Sequence, residues 1–158
     1  MLKFSKKVEY ALIAIFEMAD NSGNEPVTAK SIARQFHIPQ ELLGKVLQTL
    51  AKKGILDSIQ GVKGGYTLGH SLDTIKILNV VEAIDGPIAL IACNSGNFCD
   101  CEQMIKCNIK TPMEMIQYEL IRFFNEISLQ ELKTRHWGTM NFLENKTETI
   151  ETTNKGFN

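Results

Sequence analysis

Residues 38–55 read IPQELLGKVLQTLAKKGI, and this stretch predicts a helix with one apolar face. Pro39 fits the first turn of such a helix, where its missing N–H is not needed. Gly54 suits the left-handed position that closes a helix, after two lysines that favour the negative end of the helix dipole. Apolar residues recur between these ends at helical spacing. The predicted apolar face consists of Leu43, Val46, Leu47 and Leu50.

Two further helices are predicted before this one. The first covers residues 5–20 and ends in the turn-rich segment 21–26. Thr28 is a suitable N-cap for the second, which extends through Phe36. Three short helices joined by tight turns are typical of a helix-turn-helix domain.

A predicted β-hairpin follows directly. Residues 55–59 and 66–68 resemble short strands, and the connection 60–65 contains three glycines. A hairpin after a helix-turn-helix is a wing. Lys63, next to Gly64 at the tip, is placed to contact a DNA phosphate.

The second half of the chain predicts a helix over 71–85, an irregular cysteine segment and a late helix. Thr111, Pro112 and Glu114 match a capping box, and the late helix extends to Ile127. Too little chain follows to cover its apolar stripe, so the stripe predicts a dimer interface. The stripe comprises Met113, Ile116, Leu120, Ile121, Phe124 and Ile127.

The predicted fold is therefore mainly α with a small β-hairpin: a winged helix-turn-helix plus a long C-terminal dimerisation helix. Its parts are a DNA-binding domain (1–87), a cysteine-bearing loop that is assigned below as cluster-binding (88–110), a dimerisation helix with a C-terminal helical segment (111–143) and a disordered tail (144–158).

Composition and charge exclude several classes of protein. A chain of 158 residues is too short for a barrel enzyme or a two-lobed dinucleotide enzyme. No Ser/His/Asp set, phosphate loop or carboxylate pair indicates an enzyme, and no apolar run is long enough to span a membrane. These observations predict a cytoplasmic protein.

The net charge of −1 conceals two unlike halves. Residues 1–69 contain nine basic and six acidic side chains, whereas residues 70–158 contain eight and twelve. The basic excess coincides with the predicted winged domain, where phosphate contacts require it. The partner predicted for this half is double-stranded promoter DNA.

The predicted DNA-reading surface lies opposite the apolar face of the helix at 38–55. Glutamine can pair with adenine, and lysine with guanine or phosphate. Gln40 and Lys45 are the predicted base contacts, while Lys52 and Lys63 are predicted to hold phosphates. The outward positions are Gln40, Glu41, Gly44, Lys45, Gln48 and Lys52; all of these except Gly44 are predicted to bind DNA, together with Lys63 and Gly64 of the wing.

All four cysteines lie between residues 93 and 107, in the pattern C-x5-C-x-C-x5-C. Clustered thiols in a cytoplasmic protein indicate metal ligands rather than disulfides. The pattern does not match the paired knuckles of structural zinc sites, whereas an irregular loop of thiolates suits an iron–sulfur cluster.

Four segments resemble the Rrf-type transcription regulators of bacteria, the family of IscR, NsrR and RirA. The resemblance covers about residues 3–132, in the order found in that family. The segments are KVEYAL (7–12), IPQELLGKVLQTLAKKGI (38–55), GVKGGYTL (61–68) and NVVEAIDGP (79–87).

This resemblance implies a homodimeric regulator, often a repressor, in which a 2Fe–2S or 4Fe–4S cluster sets DNA affinity. Its three-cysteine pattern is matched by Cys93, Cys101 and Cys107, with Cys99 as the alternative central ligand. The histidine that IscR-like members carry three residues after the last cysteine is Lys110 here, which cannot ligate iron.

A carboxylate of the partner subunit completes the cluster in NsrR-like members, just before a Tyr/Trp-Ala-Leu stretch. Glu9 stands at that position here, ahead of Tyr10. The resemblance therefore implies Glu9 of the partner subunit as the fourth ligand. Two alternatives stay open: the same fold with zinc or a thiol redox switch as sensor, and a small cluster-carrier or redox protein.

Overall fold

The computed structural model of the protein describes residues 3–21, 25–94 and 101–134. They form a mainly helical fold with one two-stranded antiparallel hairpin, as predicted. The helices are α1 (Lys6–Asp20), α2 (Ala29–Gln35), α3 (Gln40–Lys52), α4 (Ile77–Asp85), α5 (Lys110–Glu126) and α6 (Leu129–Thr134), and the strands are β1 (Leu56–Ile59) and β2 (Gly65–Leu68).

Local interactions set the start of α2 and both ends of α3. Thr28 Oγ1 accepts a hydrogen bond from the Ser31 N–H at 3.1 Å and begins α2, and Gly54 closes α3 with φ of +74°. Pro39 differs from the prediction by one position. It is the N-cap residue of α3, with an extended ψ of 118°, and its carbonyl accepts the first helical hydrogen bond, from the Leu43 N–H.

The apolar face of α3 forms the centre of the core, because α3 packs against α1, α2, α4 and β1. All four residues predicted for this face are buried: Leu43, Val46, Leu47 and Leu50. The opposite side of α3 is thereby left facing solvent.

The hairpin is held to the domain by a third piece of extended chain. Leu56 pairs with Leu68, and Ile59 with Gly65, in the antiparallel register. Tyr66 also exchanges two backbone hydrogen bonds of 2.9 Å with Val27, which lies just before α2. A Cβ at Gly65 would lie 2.8 Å from the Val27 carbonyl oxygen, so this close pairing requires glycine.

The helix predicted over 71–85 is wrong in its first part, because α4 begins only at Ile77. Residues 71–74 form a turn in which the Thr74 N–H donates to the Ser71 carbonyl, and residue 76 is extended. The backbone carbonyls of Leu72 and Ile75 accept hydrogen bonds from residues 130 and 129. These long-range bonds replace the helical ones that the apolar spacing predicts.

The capping box predicted at 111–114 is also wrong. Helix α5 begins at Lys110, with Ile109 as N-cap and no side-chain cap. Pro112 is still accommodated, because the N–H groups of the first helical turn have no partner within the helix. The predicted end is confirmed, since Ile127 is the C-cap.

A complete capping box exists instead at the start of α6. The Ser128 N–H and Oγ both donate to Glu131 Oε2, at 2.9 and 3.1 Å, and the Glu131 N–H donates to Ser128 Oγ at 3.1 Å. Leu129 beside it is fully buried, and its N–H donates to the Ile75 carbonyl at 2.8 Å. This junction attaches the end of α5 to the DNA-binding half.

Among the described residues, no helix is long and apolar enough to cross a membrane. The last part of the predicted helical segment (135–143) and the predicted tail (144–158) lie outside the described residues.

Replacing Leu129 by alanine is expected to lower the free energy of unfolding by about 2–5 kcal/mol, because it leaves a cavity in a buried site. Replacing Ser128 by alanine should cost about 1 kcal/mol through loss of the cap. Urea denaturation followed by circular dichroism measures both. Gln130→Ala, which changes the exposed side chain that directly follows them, is the control and should leave stability nearly unchanged. Equal stability of all three variants would contradict the role of the junction.

Candidate DNA interface and cysteine segment

The exposed side of α3 carries all five side chains predicted to face DNA. Within the described residues, none of these side chains takes part in an ion pair or a hydrogen bond, so all are free to bind a ligand. The five are Gln40, Glu41, Lys45, Gln48 and Lys52, and each is exposed.

The turn before α3 has an unusual backbone. His37 adopts a positive φ of 55°, a left-handed conformation that histidine tolerates better than bulkier or branched residues. The Ile38 N–H then donates to the Ala33 carbonyl at 2.9 Å, and Ile38 is buried. This sharp turn sets the angle between α2 and α3. The exposed His37 side chain lies at the edge of the exposed side of α3.

The tip of the wing is built around two glycines. Gly61 has φ of +115°, and its carbonyl accepts a hydrogen bond from the Gly64 N–H at 2.9 Å. A Cβ on Gly64 would lie 2.5 Å from the Ile59 carbonyl oxygen, so only glycine fits there. The structure thus gives half-buried Gly64 a role in closing the turn, and it leaves the Lys63 side chain exposed at the tip.

The described cysteines are free and half-buried in an irregular segment. Cys93 lies in a turn of 3₁₀ helix (Ala92–Asn94), and Cys107 follows a second such turn (Met104–Lys106). The Cys101 thiol lies 3.4 Å from Gln103 Oε1 and donates a hydrogen bond to it. Cys99 lies outside the described residues. Within 3–21, 25–94 and 101–134, no three Cys, His, Asp or Glu side chains already form a metal site.

One contact that the sequence did not predict ties this segment to α5. Gln117, on the second turn of α5, accepts a hydrogen bond from the Leu90 N–H at 3.0 Å through its side-chain Oε1. In the sequence, the only indication of this contact is that a glutamine stands within the apolar stripe of the late helix. The contact joins the beginning of the cysteine segment to the helix that follows it.

Glu9 lies in the first turn of α1, and its side chain is 45% exposed. It forms an ion pair with Lys6, and the hydrogen bond and charge of Glu9 raise the pKa of Lys6. The carboxylate thus remains accessible from outside its own subunit. Lys110 instead forms an ion pair with Glu114 at 3.9 Å, which suits a structural cation rather than a metal ligand.

Comparison with known proteins identifies the family of this chain. The model of the Rrf2 family, described as an iron-dependent transcriptional regulator, matches residues 4–135. The chain belongs to the Rrf2 family. The resemblance of the four sequence segments to Rrf-type regulators is thereby confirmed, and the Rrf2 chain is a transcription regulator rather than an enzyme.

Three relatives show how far this likeness extends. An Rrf2-like HTH-type regulator of Rhodobacter capsulatus is 30% identical over 81% of this chain and 90% of its own length. IscR of Vibrio vulnificus is 30% identical over 83% of this chain and 77% of its own length. Among solved structures, CymR, the global cysteine regulator of B. subtilis, superposes with a TM-score of 0.64 at 27% identity, covering 84% of this chain and 96% of CymR.

Replacing Lys63 of the Rrf2 chain by alanine is expected to weaken binding to every duplex by a similar factor. Because each subunit loses one phosphate contact, the slope of log affinity against log salt concentration should fall by about one for each subunit bound to the duplex. Fluorescence anisotropy at several salt concentrations measures this slope. Lys106→Ala removes the same charge from an exposed position in the cysteine segment and should keep the slope. A wild-type slope in Lys63→Ala would contradict the phosphate contact.

Proposed function

We propose that this Rrf2-family chain is a homodimeric promoter-binding regulator, acting as a repressor, whose DNA affinity is set by an iron–sulfur cluster. The observation that carries the proposal is the group of free, half-buried thiols at Cys93, Cys101 and Cys107, in an irregular segment that leads directly into α5. We place the protein in the cytoplasm, where thiols stay reduced and available to metal.

The chemistry of this donor set fits an iron–sulfur cluster. Thiolates are the ligands that such clusters take, and an irregular segment can wrap around them. Half-burial keeps the thiols close to the protein surface while limiting solvent, which influences cluster potential.

Glu9 of the partner subunit is the proposed fourth ligand. The half-exposed Glu9 carboxylate near the start of α1, which forms a surface ion pair with Lys6, supports this assignment, and so does the presence of a lysine, a poor iron ligand, at position 110. A ligand donated across the dimer would link the presence of the cluster to the distance between the two DNA-binding domains. That distance sets which half-site spacing a dimer can bind.

A continuous path connects the cysteine segment to α3. Gln117 ties the segment to α5, and the far end of α5 is hydrogen-bonded to residues 72–77. Residue 77 begins α4, which packs against α1 and α3. A rearrangement around the thiols would therefore displace a helix whose other end is fixed on the DNA-binding half.

Helix α5 supports the proposed homodimer. It is 17 residues long and none of its residues is buried within one subunit. The C-terminal part of the predicted stripe packs on its own subunit, because Phe124 and Ile127 contact the core and the Phe124 ring lies 5.5 Å from the Phe4 ring. The N-terminal part remains uncovered, with Ile116 55% exposed. We propose this uncovered part as the dimer interface.

The cysteine assignment predicts a specific pattern of variants. Anaerobically purified wild-type protein is expected to be brown and to contain iron and sulfide. Cys93→Ser, Cys101→Ser and Cys107→Ser should each lose the visible absorption, because each removes a thiolate ligand. Cys99→Ser is the matched control and should keep both colour and iron. Glu9→Gln should retain less iron than wild type.

Other results would replace this proposal. Colourless wild-type protein that contains zinc would support the zinc sensor, and a metal-free protein with reversibly oxidised thiols would support the redox switch. Loss of the cluster in Cys99→Ser but not in Cys101→Ser would reverse the choice of central ligand. A cluster-containing protein that failed to shift any promoter duplex in a gel would indicate a cluster carrier.

Replacing Ile116 by glutamate is expected to convert the dimer into a monomer, because it places a charge in the apolar interface. Sedimentation velocity measures the change in mass. Asn125→Glu adds the same charge at an exposed polar position of the same helix and should remain dimeric. A dimeric Ile116→Glu protein would contradict the proposed interface.

A further inference from the structure

Val62 is the most exposed large apolar side chain of the described residues. Its relative exposure is 108%, so it has no packing role within the subunit. It lies at the tip of the wing, between Gly61 and Lys63. Exposed apolar residues are common singly, but this one lies in the turn that closes the wing, directly before the exposed Lys63.

The backbone holds Val62 in a defined position. The hydrogen bond between the Gly64 N–H and the Gly61 carbonyl closes the tip, and the neighbouring Ile59 carbonyl leaves no space for a side chain on Gly64. The pairing of Tyr66 with Val27 fixes the base of the hairpin. Because the tip is already ordered, little conformational entropy is lost when Val62 contacts a surface.

The position of the hairpin identifies the surface. Strand β1 begins four residues after the end of α3 and packs against that helix. When the exposed side of α3 enters a major groove, the tip of an adjacent hairpin meets the next groove along the duplex, which is a minor groove. Lys63 supplies the positive charge that this groove and its phosphates attract.

We propose that Val62 inserts its side chain into the DNA minor groove and makes the wing selective for A·T pairs. The proposal rests on the DNA-binding role of the winged domain. The exocyclic amine of guanine projects from the floor of the minor groove, whereas A·T pairs leave the floor open. An uncharged branched side chain can pack against an open floor, but it cannot form a hydrogen bond to the amine. The contact carries no charge, so its loss should not change the salt dependence.

The test compares three duplexes that share a central site, selected from random DNA by the wild-type protein. The flanking pairs are A·T, G·C or inosine·C. Inosine lacks the minor-groove amine of guanine and presents the same major groove. Wild-type protein should bind the A·T and inosine·C duplexes about equally, and the G·C duplex several-fold more weakly.

Val62→Ala should bind the A·T duplex about fivefold more weakly than wild type, because buried apolar area is lost. Val62→Thr, which keeps the shape but adds a hydroxyl, should show a similar loss. Val62→Ala should bind the G·C and inosine·C duplexes equally, and both variants should keep the wild-type salt slope. Lys63→Ala should show the reverse: a smaller salt slope with flank selectivity retained.

Two results would overturn the inference. The first is that Val62→Ala binds the A·T duplex as tightly as wild-type protein does. The second is weaker binding of Val62→Ala with the preference for inosine over guanine still intact. Failure of the wild-type protein to select any duplex would instead overturn the DNA-binding role itself. Thermal denaturation of both Val62 variants, expected to match wild type because the side chain is exposed, separates these results from misfolding.

Discussion

The backbone pairing between residues 72–77 and 127–130 is the constraint on which the rest of the architecture depends. The Leu129 N–H donates to the Ile75 carbonyl at 2.8 Å, and the Ile77 N–H donates to the Ile127 carbonyl at 3.1 Å. These bonds join two segments about fifty residues apart, and the burial of Leu129 protects them from water. They fix where α5 ends, and therefore the direction in which the cysteine segment and the uncovered part of α5 project from the DNA-binding half.

The cysteine segment lies between two anchored points. Helix α4 holds its beginning, and Gln117 holds Leu90 against α5. Among the described thiols, Cys101 donates a local hydrogen bond to Gln103. A segment anchored at both ends can rearrange around a ligand without unfolding the domain. This arrangement suits a sensor, because the free energy of ligand binding can displace α5 and is not needed to order the whole chain.

Several features of the fold could be predicted from the sequence because their decisive interactions are local. The Thr28 cap, the Gly54 helix end and the buried side of α3 each follow from residues a few positions apart. The prediction was wrong at 71–76, where bonds from residues 129 and 130 outcompete helical ones, and at 111–114, where a good capping pattern is not used. The real box, Ser128 to Glu131, matches the same pattern and was overlooked.

The ligands of the proposed cluster are a different case. The spacing of the cysteines gives the length of chain between thiols and not their positions in space, and Glu9 lies on a different element. The ligand set therefore could not be derived from spacing alone.

The small basic excess of the winged half has a consequence for how regulation can work. Residues 1–69 carry only three more basic than acidic side chains, so the net positive charge with which each subunit attracts phosphates is small. In the proposed dimer, affinity for one half-site would then be modest, and tight binding would require two half-sites held at once, where the second contact benefits from a high effective concentration. That benefit disappears when the two domains no longer match the half-site spacing. In the proposed dimer, a small displacement of α5 would therefore release DNA without altering a single residue of α3 or the wing.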